Sequence, residues 1–60
     1  MQLNDKVIIR NANDNPALLA SKVKKGAIAT ITEWHDNLCT GFVYIKSLGK
    51  VMPVTSENII

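Results

Sequence analysis

Every apolar run in this chain is short, rich in β-branched residues, and closed by residues that turn the backbone. Lys6-Val7-Ile8-Ile9-Arg10 gives way to Asn11-Ala12-Asn13-Asp14-Asn15-Pro16. β-Branched side chains lose rotamer freedom in a helix and pack well on a pleated surface. Asn, Asp and Pro bond to their own backbone or preset turn angles. Repeated along the chain, this alternation predicts an all-β domain.

The second strand is expected from Ala27 to Trp34, opened by Gly26. Regular alternation along it places Ile28, Thr30, Thr32 and Trp34 on one face. His35-Asp36-Asn37 is a turn, and Thr40-Gly41 leads into Phe42-Val43-Tyr44-Ile45-Lys46. Ser47-Leu48-Gly49 is a hairpin turn, with Gly49 free to take a positive φ. Lys50-Val51-Met52-Pro53-Val54 follows. Pro53 donates no backbone hydrogen bond, so that strand belongs at an edge or ends there. Thr55–Asn58 turn the chain into a last fragment, Ile59-Ile60.

Residues 11–24 form a long first loop. Ala17-Leu18-Leu19-Ala20-Ser21 allows at most one helical turn, capped by Asn15 with Pro16 at its first position. One of Leu18 and Leu19 should pin this excursion to the core. Five short strands in a chain this small are expected to curl into a five-stranded barrel, since a flat sheet exposes one apolar face. Val7, Ile9, Ile28, Val43, Ile45, Val54 and Ile59 are the expected core.

The chain has 60 residues, so one domain spans 1–60, and 47% hydrophobic content excludes a disordered chain. A chain this short buries only about 60% of its unfolded surface, which argues against a deep cofactor pocket and favours self-association. Cys39 is the single cysteine, so no internal disulfide framework exists. No apolar stretch approaches the roughly 18 residues of a membrane span. The opening Met1-Gln2-Leu3-Asn4-Asp5 lacks the features of a signal peptide. The expectation is a cytoplasmic protein without a membrane partner.

The strand order resembles the SH3-like small barrel. Asp5-Lys6-Val7, Gly26-x-Ile28, Gly41-x-Val43 and Pro53-Val54…Glu57-Asn58-Ile59 carry the resemblance. Lys25-Gly26-Ala27-Ile28-Ala29-Thr30-Ile31 is similar to the entry of KOW-type modules, which implies RNA or protein binding. The Lys-Val strand and long first loop resemble small photosynthetic accessory subunits, which implies docking on a larger partner. Asn37-Leu38, Gly41 and the Pro53-Val54 pair also resemble the type II dihydrofolate reductase framework. That family builds one pore from four copies, lined by Val-Gln-Ile-Tyr. The matching stretch here is Gly49-Lys50-Val51-Met52, with Lys50 for the glutamine, Val51 for the isoleucine and Met52 for the tyrosine. The resemblance thus implies the framework with most of the folate and nicotinamide contacts missing.

Candidate chemistry is sparse. His35-Asp36 is the one acid–base pair that can be drawn, and an exposed turn gives it no shelter from water. Cys39 and His35 together fall short of the four ligands of a structural zinc site. No catalytic residue, metal or cofactor is expected. Trp34, Phe42 and Tyr44 are the aromatics, with Phe42 expected in the core and Trp34 at the rim. Lys22, Lys24 and Lys25 form the one basic cluster, and Lys46 and Lys50 flank Gly49. The net charge of +2, with Arg10 as sole arginine, is a small field for nucleic acid. The expected function is a non-enzymatic adaptor or accessory module. It would dock on a protein through Trp34, Tyr44, Lys24, Lys25, Lys46 and Lys50. A nucleic-acid-binding module and a reductase-like homotetramer are the alternatives.

Overall fold

The computed structural model describes residues 2–60; Met1, the start of the opening segment read above, lies outside the described residues. The elements are β1 (Lys6–Ile8), α1 (Pro16–Ala20), β2 (Ile28–His35), β3 (Thr40–Ile45) and β4 (Lys50–Thr55). The strands form one antiparallel sheet in the order β1-β2-β3-β4. β4 is an edge strand, as Pro53 requires. The expected fifth strand reduces to a single bridge, Ile59 to Ile9. Beside it, Ile60 N–H donates to the Ile8 carbonyl at 2.9 Å and Ile8 N–H to the Ile60 carbonyl at 3.2 Å. The chain end thus lies along the side of β1 that faces away from β2.

α1 is one short turn of helix, built as its residues dictate. Asn15 Oδ1 accepts from Leu18 N–H at 3.2 Å, and Pro16 takes the first position, where a missing N–H costs nothing. At the other end Lys22 adopts φ +56°, the left-handed position that usually belongs to glycine. Lys22 N–H donates to the Leu19 carbonyl at 3.1 Å, and Val23 N–H reaches back to the Leu18 carbonyl at 3.0 Å. This is a Schellman closure, and it turns Val23 against the core. Leu18 is fully buried and Leu19 is exposed.

The core gathers Val7, Ile9, Leu18, Ala29, Ile31, Val43, Ile45, Met52, Val54 and Ile59. Ile28 does not join it; the side chain is 64% exposed. In β2 the inward positions are Ala29 and Ile31, paired with Ile45 and Val43. The register then shifts between Ile31 and Glu33, so Thr32 and Glu33 both stand opposite Phe42. Such a bulge reverses the alternation that follows it. Trp34 therefore pairs with Gly41 on the core side and packs against the core, while Phe42 lies 39% exposed. The expected placement of these two rings is reversed. Among the described residues, no helix is long and apolar enough to cross a membrane.

Candidate functional site

The groove richest in lysine is built from two turns. After the Schellman closure the chain runs through Lys24 and Lys25 to Gly26, whose N–H donates to the Ile9 carbonyl at 2.7 Å. Gly26 has φ +94°, a geometry that L side chains rarely adopt. This fixes Lys22, Lys24 and Lys25 at the end of the sheet where β2 begins. The β3–β4 turn arrives at the same end. Leu48 N–H and Gly49 N–H both donate to the Ile45 carbonyl, at 3.1 and 2.8 Å, and Gly49 takes φ +66°. Lys46 and Lys50 bracket that turn.

Between the two turns lies a groove of about 400 Å³, lined by Lys22, Val23, Lys24, Ala27, Ser47 and Leu48. Its floor chemistry is aliphatic and its surroundings are cationic. Lys25 lies on the neighbouring hollow with Arg10 and Val23. Four of the six residues expected at a docking site, Lys24, Lys25, Lys46 and Lys50, therefore cluster at one end of the molecule.

Trp34 and Tyr44 are not part of that cluster, nor of one another's surface. Trp34 lies over Gly41, where a methyl group would stand 2.6 Å from Trp34 Cε3. Tyr44 projects from the outer face of β3, between Thr30 on β2 and Val51 on β4. The bulge in β2 separates the two rings.

Three of the five acidic residues, Asp14, Glu33 and Asp36, lie toward the opposite end. Glu33 and Asp36 flank His35, where β2 turns into β3, and Asp14 lines a separate groove with His35 and Thr40. His35 Nε2 contacts Glu33 Oε2 at 2.6 Å, across a strand-face spacing of two residues. Glu33 is thus an acid–base partner of His35. Both side chains are about half exposed, 48% and 53%, so water reaches the pair freely. Cys39 is also exposed, with its thiol 3.6 Å from the Asp36 carbonyl oxygen. In the stretch that resembles the reductase pore, Lys50 and Val51 are exposed while Met52 is buried in the core.

No family model, curated protein or solved structure matches the chain. The chemistry of these surfaces is therefore the basis for function.

Proposed function

We propose that the protein is a non-enzymatic docking module that engages an acidic surface on a protein partner through its lysine-lined end. The observation that carries this reading is the convergence of two turns, 22–26 and 46–50, on one groove lined by Lys22 and Lys24 beside Val23, Ala27 and Leu48, with Lys25, Lys46 and Lys50 on the same two turns. Val23, Ala27 and Leu48 offer an apolar seat, and the lysines favour carboxylates around it. Net charge alone understates this field, because Asp14, Glu33 and Asp36 lie far along the sheet and the Debye length is about 8 Å at physiological salt. The fold reading that accompanies the proposal is the SH3-like small barrel, with the Ile9–Ile59 bridge as its closure.

A nucleic-acid partner shares the lysines but lacks further support. No aromatic ring lines the groove, so no base-stacking platform is present there. The test is capture from native cell extract by immobilised wild type and by the Lys24→Glu/Lys25→Glu double variant. An acidic protein retained by the wild type, released by salt and lost with the double variant supports the reading. Retention that survives the charge reversal, or that vanishes on nuclease treatment, contradicts it.

A further inference from the structure

The outer face of the sheet carries no cover, and its residues are the wrong type to face water. Three rows cross the strands. Ile60, Ile8 and Ile28 lie opposite one another, joined by the Ile8–Ile60 hydrogen bonds and the β1–β2 register. Lys6, Thr30, Tyr44 and Val51 form the next row, and Phe42 and Pro53 the third. Ile60 is 68% exposed, Ile28 64% and Val51 52%, whereas their in-strand neighbours Ala29 and Met52 are buried. Apart from Lys6 and Thr30 these rows are apolar or aromatic, where a sheet with one solvated face shows polar residues outward.

We propose that this face packs against the same face of a second copy of the chain, forming a twofold dimer. Shape and charge favour a copy over an unrelated partner. The four strands and Ile60, at about 4.8 Å by 3.4 Å per residue, give a footprint of roughly 400 Å². Two such faces bury about 800 Å², the size of a weak, transient association. Sheets pack face to face about 10 Å apart, which suits side chains the size of Ile and Tyr. Of the formal charges on the face, Lys6 stands on β1 in the middle row, Lys46 just beyond the end of β3 and Glu33 toward the far end of β2. A twofold axis lying in the interface and crossing the strands exchanges the two ends of the patch. Glu33 of each copy then meets the end that carries Lys46 in the other. The lysine end cannot self-pair in this way, because like charges repel.

Sedimentation equilibrium of the full chain, from about 10 μM to about 1 mM, tests the proposal. The expected result is a concentration-dependent doubling of mass. Ile28→Glu is expected to weaken that association at least tenfold, because it places a charge at the centre of the first row. Its exposed position leaves the circular dichroism spectrum and thermal melt close to wild type. Amide chemical-shift changes on dilution of the wild type supply a second reading, and they should map to Ile8, Ile28, Tyr44 and Val51. A monomer at the highest concentration, a dimer indifferent to Ile28→Glu, or dilution shifts confined to the lysine turns each overturns the proposal. Docking at the lysine end is read separately, through Lys24 and Lys25, and shares only Lys46 with this face.

Discussion

The Asn15 side-chain amide donates to Asn58 Oδ1 at 3.0 Å, joining the first loop to the chain end across 43 positions of sequence. Asn58 Oδ1 also accepts from Thr55 N–H at 2.8 Å, and Asn58 Nδ2 donates to the Asn11 carbonyl at 2.8 Å. Asn15 Nδ2 reaches the Pro53 carbonyl at 2.8 Å as well. Both side chains are buried, and among the described residues every buried side-chain nitrogen and oxygen has a partner. These polar bonds hold the loop together with Leu18, which is fully buried in the core. Asn58→Ala strands the donors of Asn15 and Thr55 together. It should cost about 2–3 kcal/mol in urea unfolding, where a surface Asn such as Asn37 costs almost nothing on the same change.

The two faces of β2 give opposite expectations for two isoleucines three residues apart. Ile31 is fully buried and Ile28 is mostly exposed. Ile31→Ala should destabilise by roughly 2–5 kcal/mol, enough to unfold a domain of this size. Ile28→Ala should leave the stability of the monomer within about 0.5 kcal/mol. Chemical denaturation of both variants at low protein concentration measures the difference. Equal costs would contradict the register.

Much of this architecture was legible in the residues. The strands fall where β-branched runs fall, α1 is capped by Asn15, and β4 is the edge strand that Pro53 demands. The bulge was not legible. Thr32 and Glu33 carry no mark that distinguishes them from ordinary strand residues, and past the bulge the Trp34 ring lies over Gly41. Strict alternation places Ile28 and Trp34 on one face, whereas the observed register leaves Ile28 outward and, past the bulge, turns Trp34 toward the core. The lysine groove was half legible: the cluster at Lys22–Lys25 is plain in sequence, but its meeting with the 46–50 turn depends on the path of the first loop. The Glu33–His35 contact was hidden by the nearer Asp36.

Gly41 and Trp34 form a fitted pair. A methyl group at position 41 would stand 2.6 Å from the Trp34 ring and closer still to the Glu33 carbonyl oxygen. Gly41→Ala should therefore cost about 1–3 kcal/mol by overpacking. It should also shift Trp34 fluorescence to longer wavelength as the ring lifts toward water. Trp34 is the sole tryptophan, so the spectrum reads that one contact.

Three non-glycine residues stand in the left-handed region, Asn4 at φ +69°, Lys22 at φ +56° and Cys39 at φ +53°. Glycine enters that region without a steric penalty. Cys39→Gly should raise stability by about 1 kcal/mol, read as an upward shift in melting temperature, and Cys39→Val should lower it. Lys22→Gly should also stabilise the fold while removing one cation from the groove. That variant separates stability from docking.

The most direct measurement is a nuclear magnetic resonance titration of the labelled protein with a peptide of alternating Glu and Leu, at physiological salt. An oligonucleotide of equal charge serves as the comparison. The expected result is amide shift changes at Val23, Ala27, Ser47 and Leu48 on adding the peptide. They should weaken as salt rises and disappear in the Lys24→Glu/Lys25→Glu variant. The oligonucleotide should bind more weakly, since few phosphate contacts and one arginine supply little affinity. Peptide shifts spread over other surfaces, or an oligonucleotide that binds more tightly at the same residues, would contradict docking of an acidic protein at the lysine end.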